Sequence, residues 1–334
     1  FYIYNTYIQM PITNTIRNAK KTFNIFSKTT LLHKFLYFLA FLICIILMTN
    51  YGKTQVEGFE KKKKTNEFTM NTEMADIYDD FYVSIYDDLV FYKHKNDFEI
   101  GNLIKYSNMI KEKSNVLDIG SGVGHHVSSL KAHGFNATGI DISPSMINKS
   151  KETYPELNFQ LADALNGSTF QQNSFTHITC FYFTLYYMKD KHRFFENCMQ
   201  WLNPGGYLAV HLVNRDKFDP IIPAGNPFGI VSPQKYAKKR ITTTTVKFDN
   251  YEYKSKFDLK NEVNTKEEPN AFMIETFKNM KNGDVKKNEH QLYMSTQPEI
   301  LNIAKSVGFI VVSKIDMVEC QYDNQYIYIL QKPT

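Results

Sequence analysis

Cysteine and tryptophan are scarce in this chain of 334 residues, which holds four cysteines and one tryptophan. The cysteines show no C-x-x-C or Cys/His spacing that suits zinc, and a buried thiol is the ordinary state of an isolated cysteine. The neighbouring His125 and His126 face different directions on a helix, so they cannot form an i, i+4 pair of metal ligands. The sequence therefore predicts no metal site.

A strong charge of one sign is also missing from most of the chain. Ten Lys and Arg stand against three Glu in residues 1–70, whereas the remainder is close to neutral. A near-neutral region gives no electrostatic reason to expect a nucleic-acid partner. The run Lys61–Lys64 is either a solvated linker or a contact with lipid headgroups. The chain starts with Phe1, and Met10, Met48 and Met70 are candidate true starts.

One long apolar run stands near the N-terminus. Residues 35–48 are uninterrupted apolar sequence, and residues 31–50 approach the length that a membrane-spanning helix needs. A cleaved signal peptide and a buried helix are the alternatives, but the long preceding tail and the missing small-residue cleavage pattern disfavour the signal peptide. The sequence predicts a tail at 1–30, a single transmembrane helix at 31–50 and a charged linker at 51–74.

A turn rich in glycine is the most informative motif of the chain. The segment Val116–Gly124 reads V-L-D-I-G-S-G-V-G, a short apolar run that stops at three glycines. Such a run suits a buried parallel strand, and glycines let a ligand approach the backbone before the next helix. The dehydrogenase fingerprint G-x-G-x-x-G is not met, because His125 stands where its third glycine falls. The motif predicts a loop that binds a nucleotide cofactor.

Further segments follow in a fixed order. Ala137–Ser143 reads as a second strand that ends at Asp141, whose carboxylate can accept hydrogen bonds from both hydroxyls of a ribose. Phe159–Ala164 reads as a third strand with an acid at Asp163. In Leu202–Val210, a proline and two glycines turn into another strand, which is not expected of a dehydrogenase.

These segments and the glycine turn resemble the motifs of class I S-adenosylmethionine-dependent methyltransferases of the small-molecule type, over residues 75–334. The resemblance implies an α/β, Rossmann-like fold with a seven-stranded, mostly parallel sheet, helices on both faces and a closing antiparallel pair of strands. It also implies S-adenosyl-L-methionine as the cofactor. A β-rich insertion at 214–295 follows the fifth strand, and it is either a substrate lid or an edge extension of the sheet.

Local patterns predict the remaining elements. Periodicity favours helices over residues 78–92, 98–113, 191–201 and 298–307. It favours strands over residues 176–183, 242–257, 309–317 and 325–331.

The resemblance also assigns cofactor-binding residues. Asp141 is expected at the ribose, and Asp163 is expected to accept from the adenine amino group. The other expected cofactor-binding residues are Asp118, Gly120, Ser121, Gly122, Gly124, Ile142, Ala164 and Phe181.

Three side chains are candidates for catalysis. His211, near the end of the fifth strand, and Tyr182, after the fourth, are candidate bases, although a structural role is the alternative for His211. Tyr82 can present its ring to a sulfonium or its hydroxyl to a substrate, or it packs on the sheet. A dedicated base is optional, because orientation in a water-poor pocket supplies about 7–11 kcal/mol for well-aligned groups.

The sequence thus predicts S-adenosylmethionine-dependent methyl transfer to a nitrogen, oxygen or sulfur nucleophile of a small molecule. The catalytic part is expected to be tethered to a membrane and to face the cytoplasm, or to be soluble there if the true start lies near Met70. Two alternatives stay open: a membrane lipid or membrane-proximal protein as acceptor, and a non-catalytic module that binds adenosylmethionine. A dehydrogenase ranks below both.

Overall fold

A computed structural model describes residues 30, 33, 38–40, 69–221, 234, 237–260 and 268–334. The chain divides into two compact units, residues 1–55 and 56–334. In the first unit, His33 and residues 38–40 are helical, and the other residues of the predicted membrane segment lie outside the described ones, as do nearly all of the predicted tail and most of the linker. Among the described residues, no helix has both the length and the apolar character needed to cross a bilayer.

The elements of the second unit alternate between strands and helices along much of the chain. The strands are β1 Thr69–Asn71, β2 Asn115–Ile119, β3 Asn136–Asp141, β4 Asn158–Leu161, β5 Phe175–Cys180, β6 Leu202–Val213, β7 Thr243–Lys247, β8 Tyr251–Leu259, β9 Ala271–Asn279, β10 Val285–Leu292, β11 Ile310–Asp316 and β12 Gln325–Gln331. The helices are α1 Met74–Ile77, α2 Asp80–Leu89, α3 Lys93–Tyr106, α4 His125–Ala132, α5 Pro144–Thr153, α6 Thr184–Tyr187, α7 Lys191–Trp201 and α8 Gln297–Val307.

The larger sheet has seven strands in the order β11-β12-β6-β5-β2-β3-β4. The five consecutive strands β6, β5, β2, β3 and β4 pair in parallel, whereas β12 pairs antiparallel with both β6 and β11. This arrangement confirms the predicted mostly parallel sheet with a closing antiparallel pair. The strand predicted at 176–183 ends early, at Cys180, because Tyr182 takes a left-handed backbone conformation (φ 54°) that an extended strand cannot hold.

A second sheet of five strands has the order β1-β10-β9-β8-β7. Four of its strands come from the insertion at 214–295, and β1, which precedes residue 75, pairs in parallel with β10. Among the described residues the two sheets share no strand, so the insertion does not extend the edge of the larger sheet. The antiparallel register sets Met273 of β9 opposite His290 of β10, and Glu275 opposite Asn288.

Helix α2 packs against the second sheet. It begins at a side-chain cap, in which the Asp79 carboxylate accepts from the Tyr82 N–H, and it buries Phe81 and Tyr82 against Phe277. Helix α3 differs from the prediction of 98–113, since it ends at Tyr106. The left-handed backbone of Asn108 (φ 52°) stops the helix there.

Candidate functional site

A cavity of about 260 Å³ lies at the carboxyl ends of the parallel strands, where open α/β sheets bind their ligands. One side of it is formed by the turns after β2, β3, β4 and β5, and the other by α2 and by β9 and β10 of the second sheet. Among the described residues that line the cavity, none is Lys or Arg and four are acidic: Asp141, Asp163, Asp219 and Glu275.

The glycine turn closes one end of this cavity. Gly120, Gly122 and Gly124 all have left-handed backbones, with φ of 72°, 55° and 95°. A Cβ on Gly122 would meet the Tyr86 hydroxyl at 3.6 Å and the ring carbon that carries it at 3.9 Å, both ordinary contacts, so this glycine leaves open space on the cavity side. A Cβ on Gly124 would strike the Phe159 ring at 2.6 Å, so this glycine permits close packing behind the turn.

Asp141 is fixed at the end of β3 by two backbone donors. Its Oδ1 accepts from the Ser143 N–H and its Oδ2 from the Gly122 N–H, both at 2.9 Å. Burial raises the pKa of Asp141 even though these two hydrogen bonds lower it. The carboxylate lines the cavity and keeps lone pairs for further donors.

Asp163, the residue predicted to contact the adenine, lies at the same cavity as Asp141. Asp163 is exposed, its Oδ1 accepts from the Leu165 N–H at 2.8 Å, and it lines the same cavity. The cavity is also lined by Ile142 and Ala164. The structure therefore brings the acids at 141 and 163 to one cavity, as the sequence predicts.

A smaller cavity of about 70 Å³ adjoins the glycine turn and is lined by Asp118, Ser121 and Phe181. Asp118 Oδ1 accepts from the Thr179 hydroxyl at 2.7 Å, but Oδ2 is buried with no hydrogen-bond partner in the described part of the chain, and so is Ser121 Oγ. Burial raises the pKa of Asp118, against the opposing effects of His126 and Thr179. Buried polar atoms are normally satisfied, so Asp118 Oδ2 is available to accept a hydrogen bond from a bound molecule, and the Ser121 hydroxyl is available to donate or accept one.

A buried ion cluster of Lys95, Glu99 and His126 borders the smaller cavity. Lys95 Nζ donates to Glu99 Oε1 at 2.6 Å, and His126 Nε2 lies 2.8 Å from Glu99 Oε2. Burial alone would raise the pKa of Glu99, but the Lys95 ammonium and the His126 hydrogen bond lower it to about 2. Sequence reasoning missed this cluster, because the i, i+4 spacing of Lys95 and Glu99 is equally typical of an exposed helical pair.

A second polar cluster lines the larger cavity on the side of the inserted sheet. Glu275 Oε1 accepts from the Tyr82 hydroxyl at 3.2 Å and the Tyr253 hydroxyl at 2.8 Å, and Oε2 pairs with His290 Nε2 at 2.7 Å. His290 Nδ1 lies 2.6 Å from the Tyr187 hydroxyl. Burial by itself raises the pKa of Glu275, but the charge of His290 and these three hydrogen bonds outweigh it and lower the pKa.

The three candidate catalytic residues fall in different surroundings. Tyr82 is buried in the larger cavity, and Tyr182 lines both cavities, with Lys95 Nζ 4.7 Å from its ring centre. His211 is fully buried and is not among the described residues that line either cavity, and Gln325 is the side chain placed to hydrogen-bond with its ring. Burial lowers the pKa of His211 to about 3. This geometry does not bring His211 to an acceptor.

Comparison with known proteins identifies the central part of this unit. A family model described as a methyltransferase domain matches residues 117–210. A ubiquinone biosynthesis O-methyltransferase from Coxiella burnetii is 33% identical over 105 residues, which is 30% of this chain and 44% of that protein. Residues 117–210 therefore form a methyltransferase domain. The chain spans less than half the length of this curated relative.

Solved structures share the fold of the methyltransferase domain. An S-adenosylmethionine-dependent methyltransferase from Clostridium acetobutylicum superposes with a TM-score of 0.57 at 17% identity, covering 76% of this chain and 98% of that one. The amino pentose methyltransferase CalS10 from Micromonospora echinaspora gives a TM-score of 0.53 at 14% identity, covering 75% and 96%. The family match ends at residue 210, so Glu275 and His290 lie beyond it.

Proposed function

We propose that this protein transfers a methyl group from S-adenosyl-L-methionine to a nucleophile of a small molecule. The observation that carries the proposal is the buried Oδ2 of Asp118, which has no hydrogen-bond partner in the described part of the chain and has His126 Nδ1 only at 3.9 Å. It lies beside a glycine turn and the fixed carboxylate of Asp141. The donor would supply an activated methyl group on a sulfonium. The printed names of the relatives, an O-methyltransferase and an amino pentose methyltransferase, support a small acceptor that reacts through oxygen or nitrogen.

The residues of the two cavities fit this donor. Asp141 would accept from the ribose hydroxyls, and Asp163 from the adenine amino group. Asp118 Oδ2 would accept from the ammonium of the methionine part, which would supply the hydrogen bond that this oxygen lacks in the described part of the chain. Gly122 would leave room for the donor, and the backbone of Gly120 and Ser121 would run alongside it.

Tyr82 and Tyr182 are suited to orient groups rather than to act as phenolate bases. Burial raises the pKa of both hydroxyls. Each ring lines the larger cavity, where its face can contact a sulfonium cation. Alignment of the acceptor in this largely apolar space is the main contribution that these side chains would make to the rate.

Calorimetric titration of S-adenosyl-L-methionine into the Asp141→Ala variant tests the proposal. We expect at least about a tenfold loss of affinity, since hydrogen bonds to a charged group contribute about 1.5–3 kcal/mol. Asp316→Ala is the matched control, because Asp316 also ends a strand and accepts from a backbone N–H two residues on, at 3.1 Å from Val318 N, but is remote from the cavity lining. Unchanged affinity in Asp141→Ala would refute the ribose role, and a wild type that binds NAD but not this donor would overturn the function.

The membrane tether and the cytoplasmic placement of the domain are also proposals. The tether rests on the apolar run at 35–48, which lies mostly outside the described residues. The cytoplasmic placement rests on the cytosolic supply of S-adenosyl-L-methionine. Flotation of the full chain with lipid vesicles tests the tether, and recovery in the vesicle-free fraction would contradict it.

A further inference from the structure

The cluster around Glu275 forms a continuous chain of hydrogen bonds. The Tyr78 and Tyr187 hydroxyls lie 3.0 Å apart, the Tyr187 hydroxyl lies 2.6 Å from His290 Nδ1, and His290 Nε2 lies 2.7 Å from Glu275 Oε2. All four residues line the larger cavity. Two strands of the insertion, one helix after β5 and the segment before α2 supply them, so the chain exists only in the folded domain.

The direction of these hydrogen bonds follows from which atoms can donate. An ionised Glu275 only accepts, so His290 Nε2 carries a proton. In the neutral imidazole, Nδ1 accepts from Tyr187, whose oxygen then accepts from Tyr78. In the imidazolium, Nδ1 donates to Tyr187, which donates to Tyr78. Both states keep all three hydrogen bonds, so a proton can pass from the cavity to His290 without movement of heavier atoms.

The tyrosines are suited to passing a proton and not to keeping one. Burial raises the pKa of both Tyr78 and Tyr187, so neither becomes a phenolate near neutral pH. The groups that face the imidazole in the described structure are Glu275 from β9, Tyr187 from α6, and the rings of Tyr78 and Tyr82, whose centres lie 5.8 and 6.4 Å from it. Glu275 Oε2, at 2.7 Å from His290 Nε2, fixes the imidazole so that Nδ1 points at Tyr187.

The charge of the cavity decides which acceptor suits this relay. Removal of a proton from a phenol or a thiol would create an anion beside Glu275, in a cavity whose described lining holds four acidic side chains and no Lys or Arg. Removal of a proton from an ammonium ion leaves a neutral amine, and before that step the carboxylate and the aromatic rings attract the cation. A phosphate or carboxylate group on the acceptor would find no Lys or Arg among the described lining residues.

We propose that the methyl acceptor is a small, largely apolar amine that enters as its ammonium ion, and that Tyr78 and Tyr187 relay its proton to His290, which Glu275 positions. The inference rests on the proposed function and names its substrate class. The neutral nitrogen forms a bond to the methyl carbon as the carbon–sulfur bond breaks, and that electron pair stays on sulfur. The methylated ammonium product and a neutral thioether leave, and the proton on His290 passes to solvent.

A set of small aromatic compounds that differ in their functional group tests the class of the methyl acceptor. Benzylamine, benzyl alcohol, benzyl mercaptan and benzoate share one ring, and a wider panel of small amines, phenols, thiols and acids extends the set. Binding is measured by calorimetry with S-adenosylhomocysteine present, and transfer by label from a methyl-labelled donor. We expect at least tenfold tighter binding of benzylamine than of the other three, and label in amines. Label only in the other classes, or in no compound although the donor binds, would overturn the inference, whereas failure of donor binding would overturn the proposed function.

Tyr187→Phe tests the relay and keeps the ring and the ion pair. At pH 7 we expect at least about a hundredfold loss of kcat/KM for the amine, within the range for general acid–base catalysis, with donor affinity unchanged. The loss should shrink as the pH rises toward the pKa of the free amine, because the neutral amine then needs no relay. A loss that is the same at every pH would indicate a structural role and contradict the relay.

Tyr207→Phe is the control for that variant. The Tyr207 hydroxyl also accepts a hydrogen bond, from Asn108 Nδ2 at 2.8 Å, and its ring stacks on His177, but it is absent from the described lining of the cavity. We expect its kcat/KM to stay within threefold of the wild type across the same pH range. An equal, pH-dependent loss in Tyr207→Phe would show that any buried tyrosine hydroxyl produces the effect, and would overturn the relay.

Discussion

Two of the buried carboxylates beside the cavities, Glu99 and Glu275, have different partners. Glu99 is held by an ammonium and an imidazole, from Lys95 and His126, on the side of the glycine turn. Glu275 is held by His290 and by two tyrosine hydroxyls on the side of the inserted sheet. A carboxylate with a lysine partner makes a fixed ion pair, whereas one whose cation is an imidazole can change charge with a proton. We infer that the cluster around Glu99 stabilises the fold and that the cluster around Glu275 takes part in the reaction.

The largest expected effect is the loss of folding stability in the Glu99→Gln variant. The change leaves the buried ammonium of Lys95 without its counter-charge, which costs on the order of 3–5 kcal/mol when one partner of a buried pair is removed. Chemical denaturation of the donor-free protein measures the loss. Asp97→Asn is the control on the same helix, because the Lys93–Asp97 pair is exposed and should contribute under about 1 kcal/mol.

The same variant should change the response to acid. The folded pKa of Glu99 is about 2, below its usual value of 4.5, so its stabilising effect is complete above pH 4.5 and is lost as the pH falls toward 2. Glu99→Gln should therefore lose stability less steeply over this range than the wild type. Parallel acid profiles of the two proteins, or a loss in Glu99→Gln no larger than in Asp97→Asn, would show that Glu99 is not the architectural carboxylate.

A smaller effect is expected from a substitution in the glycine turn, which lies on the side of the cavities where we propose that the methyl donor binds. Gly122→Val should reduce donor affinity at least about a hundredfold, close to 2.7 kcal/mol, because the side chain enters the cavity. Gly283→Val carries the same backbone strain, at φ 77°, but faces open space, so it should lose stability and keep its affinity. Equal affinities of the two variants in calorimetry would remove Gly122 from the donor site.

The two sides of the cavity also differ in how much the sequence predicts. The donor side follows from local patterns, since the turn at 120–124 directly follows one strand and Asp141 ends the next, and parallel strands bring their carboxyl ends together. The acceptor side depends on the register of β9 and β10, which sets Glu275 diagonally across from His290, and on Tyr187 reaching them from another element. No spacing in the sequence signals such a meeting, because residues 187 and 290 are joined only by tertiary packing.

The surroundings of His211 also could not be predicted from the sequence. A change at this residue is expected to have the smallest effect. Its position near the end of β6 predicts a base at the crevice, but the rings of Tyr182 and Phe183 lie 6.4 and 6.5 Å from the imidazole, and it lines neither cavity. With a pKa near 3, His211 is already neutral at neutral pH, so a volume-conserving change should alter little.

We therefore expect His211→Leu to keep kcat within about threefold of the wild type, with the same pH profile and a change in stability under about 1.5 kcal/mol. His290→Asn should instead lose at least about a hundredfold in kcat, as expected when a proton acceptor is removed. Steady-state rates of both variants across pH, with donor affinity measured alongside, compare the two histidines directly. If His211→Leu loses turnover in a pH-dependent way while His290→Asn keeps it, the histidine that takes the proton lies in β6 rather than in the inserted sheet, because a structural histidine would lower turnover equally at every pH.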